Sequence, residues 1–343
     1  MIPAISKIKK IELANLPTKI EKLTKISEQY GKNIFIKRDD QTGSELSGNK
    51  IRKLEYAIAE AKSTNCDTLI TCGGLQSNHC RATAAAAVKL GMHCIILLAS
   101  DTDEPPFDGN LLLDRLLGAE IRFISPEGYA AKRWIVMENI LKELADKGRK
   151  GYIIPMGASN GIGSFGYFDA LNEIIVQEKA MNINFDTVVC TVGSGGTYAG
   201  LCLSNKINKY GKKIIGFTIS ETAQYFVEEI IAISKEFYLY LNEENALAPQ
   251  DICIIDGYAG RGYALNKPDE LAFIRRIAAT EGVVFDPVYT GKAFYGLCSE
   301  LEKKSPQFTC SQNILFIHTG GLLGLFPKRE EFADLYRHAV SQS

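Results

Sequence analysis

In the stretch ELSGNKIRKLEY, residues 45–56, a single lysine, Lys50, follows Ser47-Gly48-Asn49 at the point where a helical pattern begins. A solvated lysine needs no such setting, because a charged head on a flexible stem is satisfied anywhere in water. A glycine turn that opens into a helix suits an amine that must reach one fixed place and react there. A second stretch, TVGSGGTYAGL, lies behind an apolar run and ahead of a helical one. Gly193, Gly195 and Gly196 let the backbone curl without side-chain clash. The amides of Ser194 to Thr197 could then point into one anion, with the Thr197 hydroxyl and the helix start adding to the attraction. That cup suits one phosphate monoester, and it would equally serve as a tight strand-to-helix turn with no ligand. A dinucleotide loop wants glycine where Tyr198 stands, and a P-loop needs a G-x-x-x-x-G-K-[ST] run that is absent here.

An imine-forming lysine and a monophosphate cup, taken together, point to pyridoxal phosphate. That cofactor needs an amine for its aldehyde, a cradle for one phosphate and a partner for its ring nitrogen.

The elements that must position these residues alternate in type. DTLITC, MHCIILL, AEIRFIS and GYIIPM read as strands, separated by helical stretches that stop at Gly91, Gly118 and Gly148. A second series, FDTVVCTV, KKIIGFTIS, GVVFDPVY and NILFIHTGG, repeats the alternation. Strand–helix–strand repeats predict an α/β protein with mostly parallel sheets flanked by helices. The glycine-rich run GASNGIGSFGY, residues 157–167, marks the break between two lobes, and 235–250 is the least legible part. Open parallel sheets take ligands beyond the carboxyl ends of their strands, so the loops there are expected to hold the chemistry.

With 343 residues, 46% hydrophobic and 23% charged, the chain has an ordinary globular balance, and a net charge of −1 gives no footing for nucleic acid. No apolar run reaches the length of a membrane span. The mildly basic start lacks the apolar core of a secretion signal, and Glu12 and Glu21 weaken a transit-peptide reading. Nine cysteines form no Cys-x-x-Cys pair, and four histidines offer no zinc spacing. Reduced thiols in a cytoplasmic protein without a metal are the expectation.

Five motifs, SGNKIRKLEY, GGLQSNHCRATAAAA, TVGSGGTYAGL, FDPVYTGKAFYGL and IHTGG, occur in an order that resembles one family. It comprises the pyridoxal-phosphate enzymes that include D-cysteine desulfhydrase and 1-aminocyclopropane-1-carboxylate deaminase. The resemblance runs from about Leu13 to about Phe326. It implies a two-domain fold type II enzyme like the tryptophan synthase β-subunit. A large cofactor domain would comprise 1–50 plus 162–343, with a smaller α/β domain, 51–161, inserted. It also implies a homodimer acting on a small amino acid.

Carried over by motif, Lys50 resembles the Schiff-base lysine, Lys53 a lysine supporting the phosphate, and Asn78 the partner of the cofactor's phenolic oxygen. Ser77, with the amides of QSNH, resembles the clamp on the substrate carboxylate, and His79 reads as a helix-start residue beside it. Tyr263 and Tyr289 resemble two active-site tyrosines among fifteen in the chain. Arg261 departs from the uncharged residue usual at its place. It leaves some room for an anionic side chain, and so for a cysteate sulfo-lyase.

In the deaminases the fourth motif resembles D-P-V-Y-E-G-K, whose glutamate meets the pyridine nitrogen. Here that position is Thr290, and HTGG supplies Thr319 as a second neutral hydroxyl. A hydroxyl can bond an unprotonated nitrogen but cannot hold it charged. A weaker electron sink suffices when a good β-leaving group such as thiolate departs, so β-elimination is favoured over ring opening. D-cysteine desulfhydrase is therefore the expected activity, with Lys50 as base and Tyr289, or else Tyr263, at the departing sulfur. The preference for a D-amino acid follows from the resemblance alone.

Overall fold

The computed structural model describes residues 5–340, so the first four residues of the N-terminal stretch read above lie outside the described residues. The chain opens with β1 (Ile20–Lys22), α1 (Thr24–Tyr30), β2 (Asn33–Lys37) and α2 (Lys50–Ser63). There follow β3 (Thr68–Gly74), α3 (Asn78–Lys89), β4 (His93–Ala99), α4 (Gly109–Leu116), β5 (Glu120–Ile124), α5 (Pro126–Asp146) and β6 (Gly151–Ile153). The next elements are α6 (Gly161–Met181), β7 (Thr187–Val192), α7 (Gly196–Asn208), β8 (Lys213–Thr218), α8 (Ala223–Leu241) and β9 (Cys253–Ile255). The chain closes with α9 (Pro268–Glu281), α10 (Thr290–Glu302), β10 (Asn313–Ile317) and α11 (Arg329–Val340).

Two sheets result, one ordered β1-β2-β10-β7-β8-β9 and one ordered β5-β4-β3-β6. Every neighbouring pair is parallel except β1 with β2. Leu315 of β10 sits opposite Phe35 on one side and Val188 on the other, and β7 is buried at every position. A strand covered by helices on both faces has no polar side, which is why TVVCTV is a continuous apolar run. The helices α3, α4 and α5 do stop at Gly91, Gly118 and Gly148, each of which turns the chain with positive φ.

Residues 161–167 of the glycine-rich run read as a break form the first turns of α6, and 157–160 lead into it. Its glycines serve helix packing: a Cβ on Gly166 would lie 2.4 Å from the Arg52 carbonyl of α2, and one on Gly200 of α7 would lie 2.3 Å from the Ser164 carbonyl. The run GVVFDPVY, expected as a strand, is irregular. Pro287 withholds a ladder donor, and the Asp286 carboxylate instead accepts the amides of Val288, Tyr289 and Thr290 at 2.7–2.8 Å, starting α10. The obscure segment at 235–250 begins as the last turns of α8, which ends at Asn242 with φ +54°.

Helix α2 is fixed about its axis by a buried ion network. Arg52 donates to both oxygens of Asp39 at 2.9 and 2.8 Å and to Glu173 at 2.9 Å, while Tyr167 donates to Asp39 at 2.5 Å. Buried charges that cost several kcal/mol alone are tolerated when paired and fully hydrogen-bonded, and the geometry they require is narrow. At roughly 100° per residue, Lys50 and Lys53 lie about 60° apart on one face of that helix, turned away from Arg52.

Candidate active site

A cavity of about 360 Å³ lies where the carboxyl ends of the two sheets face each other. Its wall includes residues just beyond β3 (Ser77, Asn78), β7 (Gly193 to Gly195), β8 (Ser220) and β10 (Thr319, Gly320), together with Lys50. The order of these loops follows from parallel strands, which deliver every βα turn to the same edge.

Lys50 is the first residue of α2 and reaches that cavity. The turn before it docks backbone to backbone on the HTGG turn: the Asn49 amide donates to the Thr319 carbonyl at 3.1 Å. A Cβ on Gly48 would stand 2.9 Å from that carbonyl, and one on Gly320 would stand 2.8 Å from the Gly48 Cα. The glycine ahead of the lysine is thus required by contact as well as by its φ of +104°. The Asn49 side chain donates to the Thr197 hydroxyl at 2.9 Å, tying the lysine turn to the glycine cup. Burial destabilises the Lys50 ammonium and lowers its pKa to about 8.

At the cup, Lys53 is fully buried and donates to the Ser159 hydroxyl at 3.1 Å. Ser159 also lies 2.8 Å from the Ser194 hydroxyl and accepts the Gly196 amide at 3.2 Å. A Cβ on Gly196 would come within 2.7 Å of Ser159 Oγ and 3.0 Å of Lys53 Nζ. Desolvation, and then repulsion from Lys50, hold the Lys53 amine well below the usual lysine pKa. Among the described residues no carboxylate lies within ion-pair distance of it, so an anion in the cup would be what stabilises its charged form. The Thr191 hydroxyl, buried on the cavity wall beside the cup, has no partner either. Ser159 was not anticipated from sequence; its one signal is that it falls in the glycine-rich run 157–167.

On the facing side, Ser77 caps α3, its hydroxyl accepting the Cys80 amide at 3.2 Å. The Asn78 carbonyl oxygen accepts from Asn110 at 3.0 Å, which leaves the amide NH₂ of Asn78 for the cavity. His79 is buried, with Nε2 2.7 Å from the Thr71 hydroxyl. Desolvation together with Lys50 and Lys53 holds it neutral. Tyr263 and Tyr289 meet at the cavity edge, hydroxyl to hydroxyl at 2.5 Å.

The structure brings these residues together, with one exception. Thr290 is not on the cavity wall; it is fully buried, and its hydroxyl donates to Asp286 Oδ1 at 2.6 Å. The N-terminal turn of α10 needs that carboxylate as its cap, and the threonine hydroxyl completes it. Of the two threonines expected near the ring nitrogen, Thr319, 8% exposed, is the one that lines the cavity. Asp286 itself is spent on three amides and the Thr290 hydroxyl.

Residues 11–320 match the family described as pyridoxal-phosphate dependent enzyme. The chain belongs to that family. It is 41% identical over 330 residues to a bifunctional D-cysteine desulfhydrase/1-aminocyclopropane-1-carboxylate deaminase, mitochondrial, of Arabidopsis thaliana, covering 94% of this chain and 80% of that one. It is 38% identical over 326 residues to a D-cysteine desulfhydrase of Yersinia enterocolitica, covering 94% and 96%. The crystal structure of an ACC deaminase homologue superimposes with a TM-score of 0.87 at 36% identity, covering 98% of this chain and all of that one. The fold is therefore that of a fold type II pyridoxal-phosphate enzyme.

The residues present fit the cofactor. The buried Lys53, the hydroxyls of Ser194 and Ser159, and a cup that side chains would fill suit one phosphate, and Lys50 stands across the same cavity. The Lys50 pKa carries a prediction for the apoenzyme. An amine reacts with an aldehyde only when neutral, so the rate of colour formation on adding pyridoxal phosphate should rise with pH and level off above about 8. A rate still climbing steeply toward pH 10, measured by stopped-flow absorbance, would place the reacting amine in ordinary solvent.

Proposed function

We propose that this pyridoxal-phosphate enzyme is a D-cysteine desulfhydrase, converting D-cysteine and water to pyruvate, hydrogen sulfide and ammonia. The observation that carries the proposal is the polarity of the inner wall. Thr319 lines that wall and would offer its hydroxyl to the ring nitrogen, and among the described residues the one carboxylate on the wall, Glu221, is exposed at the rim. A hydroxyl leaves the nitrogen uncharged, which favours a substrate with its own leaving group over a cyclopropane without one.

When bound, the cofactor supplies the electron sink that makes the substrate's α-proton acidic. The side chains do the rest. Ser77 and the first amides of α3 would hold the substrate carboxylate, using the positive end of the helix. Lys50, whose pKa of about 8 leaves roughly a tenth of the amine neutral at pH 7, far more than an ordinary lysine, would accept the α-proton. The C–S bond then breaks, the sulfur leaves as hydrosulfide, and the released enamine is hydrolysed to pyruvate and ammonium. Tyr289 would donate its proton toward the departing sulfur, with Tyr263 holding its hydroxyl in place.

The D-cysteine desulfhydrase name carried by the Yersinia relative supports this reading, and the Arabidopsis relative is named for both activities. The reading as a cysteate sulfo-lyase loses its cation: Arg261 is exposed and does not line the cavity. Nine free cysteines support cytoplasmic residence, and no helix among the described residues is long and apolar enough to cross a membrane.

A substrate panel tests the proposal. D-cysteine and β-chloro-D-alanine should give pyruvate at rates at least about tenfold above L-cysteine, cysteate and aminocyclopropane carboxylate. Faster release of 2-oxobutanoate from the cyclopropane than of sulfide from D-cysteine would reverse the assignment.

A further inference from the structure

The segment between β9 and α9 carries Tyr263 to the cavity edge without forming a helix or strand of its own. Its backbone enters the left-handed region at Gly260 (φ +68°), at Gly262 (φ +122°) and at Ala264 (φ +57°), the last a conformation that costs a residue with a Cβ. Tyr263 is 46% exposed, and its ring meets that of Tyr289 edge-on with centroids 5.8 Å apart. Such a loop keeps one shape only if something outside it supplies the hold.

Lys292, on α10, supplies it. The side chain is 1% exposed, and its ammonium donates to the carbonyls of Ala259 at 2.5 Å, Gly262 at 2.6 Å and Leu265 at 2.8 Å. All three acceptors belong to this loop, and two of them bracket Tyr263. Among the described residues no carboxylate lies within ion-pair distance of Lys292, so its ammonium hydrogens are taken by the three carbonyls, with Glu270 and Asp286 acting on the charge from farther off. Glu270 closes the same loop from the other end, accepting from the Lys267 amide at 3.0 Å and the Asn266 side chain at 3.2 Å.

We infer that Lys292 is a positioning residue for the reaction: by gathering the carbonyls on either side of Tyr263, it sets that phenol on the Tyr289 hydroxyl. The inference rests on the proposed role of the tyrosine pair, and its test separates the two. Arg261 is exposed at the tip of the loop, one residue from a carbonyl that Lys292 holds. Hydrogen bonds to a charged group are worth enough that losing them should speed tryptic cleavage after Arg261 in folded Lys292→Met holoenzyme about tenfold or more. In turnover, Lys292→Met and Tyr263→Phe should each lower kcat/KM for D-cysteine, and the double variant should be no worse than the poorer single one. The visible cofactor spectrum should not change. If Lys292→Met does not fold, Lys292→Gln, which keeps two donors, should show a smaller acceleration in the same direction. Cleavage at the wild-type rate, or losses that multiply in the double variant, would overturn the inference. The cleavage assay needs no substrate, so it stands even where the activity assigned to the enzyme fails.

Discussion

Lys50→Ala is expected to abolish the visible absorbance of the purified enzyme and to lower turnover of D-cysteine by about a thousandfold or more. The size follows from two roles falling on one amine, covalent attachment of the cofactor and proton transfer at the substrate's α-carbon. The variant should fold, because the native state gains nothing from that ammonium: burial destabilises it and lowers its pKa to about 8. The turn that carries it is held by Gly48, Asn49 and the Thr319 carbonyl, none of which the substitution touches. The serious competitor is Lys53, a second buried amine one helical turn away. Were Lys53 the attachment point, Lys50→Ala would stay yellow, and borohydride reduction followed by peptide mapping would place the cofactor on residue 53. Exogenous methylamine offers a further check, since a small amine admitted to the vacated space should restore part of the proton transfer.

Much of this site was legible in the sequence because its parts are local. A glycine followed by a helix-starting lysine, and a triple-glycine turn behind a six-residue buried strand, are read from neighbours along the chain. What sequence could not reach acts across the fold. Ser159 belongs to the cup because α6 packs closely enough on α2 and on α7 to require Gly166 and Gly200. Asn110 orients Asn78 from another helix, and Lys292 acts on a loop about thirty residues upstream in the chain. The misreading of GVVFDPVY has the same origin. An apolar run with a proline and an aspartate satisfies strand periodicity, but the aspartate carboxylate is taken as a helix cap, and that choice also turns the Thr290 hydroxyl away from the cavity. The strand β2, five residues of which three are apolar, is too short for periodicity to distinguish.

The second large effect concerns affinity for the cofactor. Lys53→Met should weaken pyridoxal phosphate retention by about a hundredfold, read as the dissociation constant from fluorescence titration of apoenzyme. A buried amine whose hydrogen-bond partner is one hydroxyl is held well below the usual lysine pKa, because its charged form would bear a desolvation cost with nothing opposite to offset it. A phosphate in the cup reverses that balance, so most of the favourable interaction of Lys53 exists only in the loaded enzyme. Two consequences separate this account from a structural role for the lysine. The apo form of Lys53→Met should be at least as stable to urea as wild-type apoenzyme, because methionine fills a similar volume without a charge to bury. Pyridoxal, which lacks the phosphate, should bind the variant and the wild type about equally. Equal loss for pyridoxal and its phosphate, or a less stable apo variant, would mean that Lys53 holds α2 against α6 and that the anion is gripped by the main chain alone.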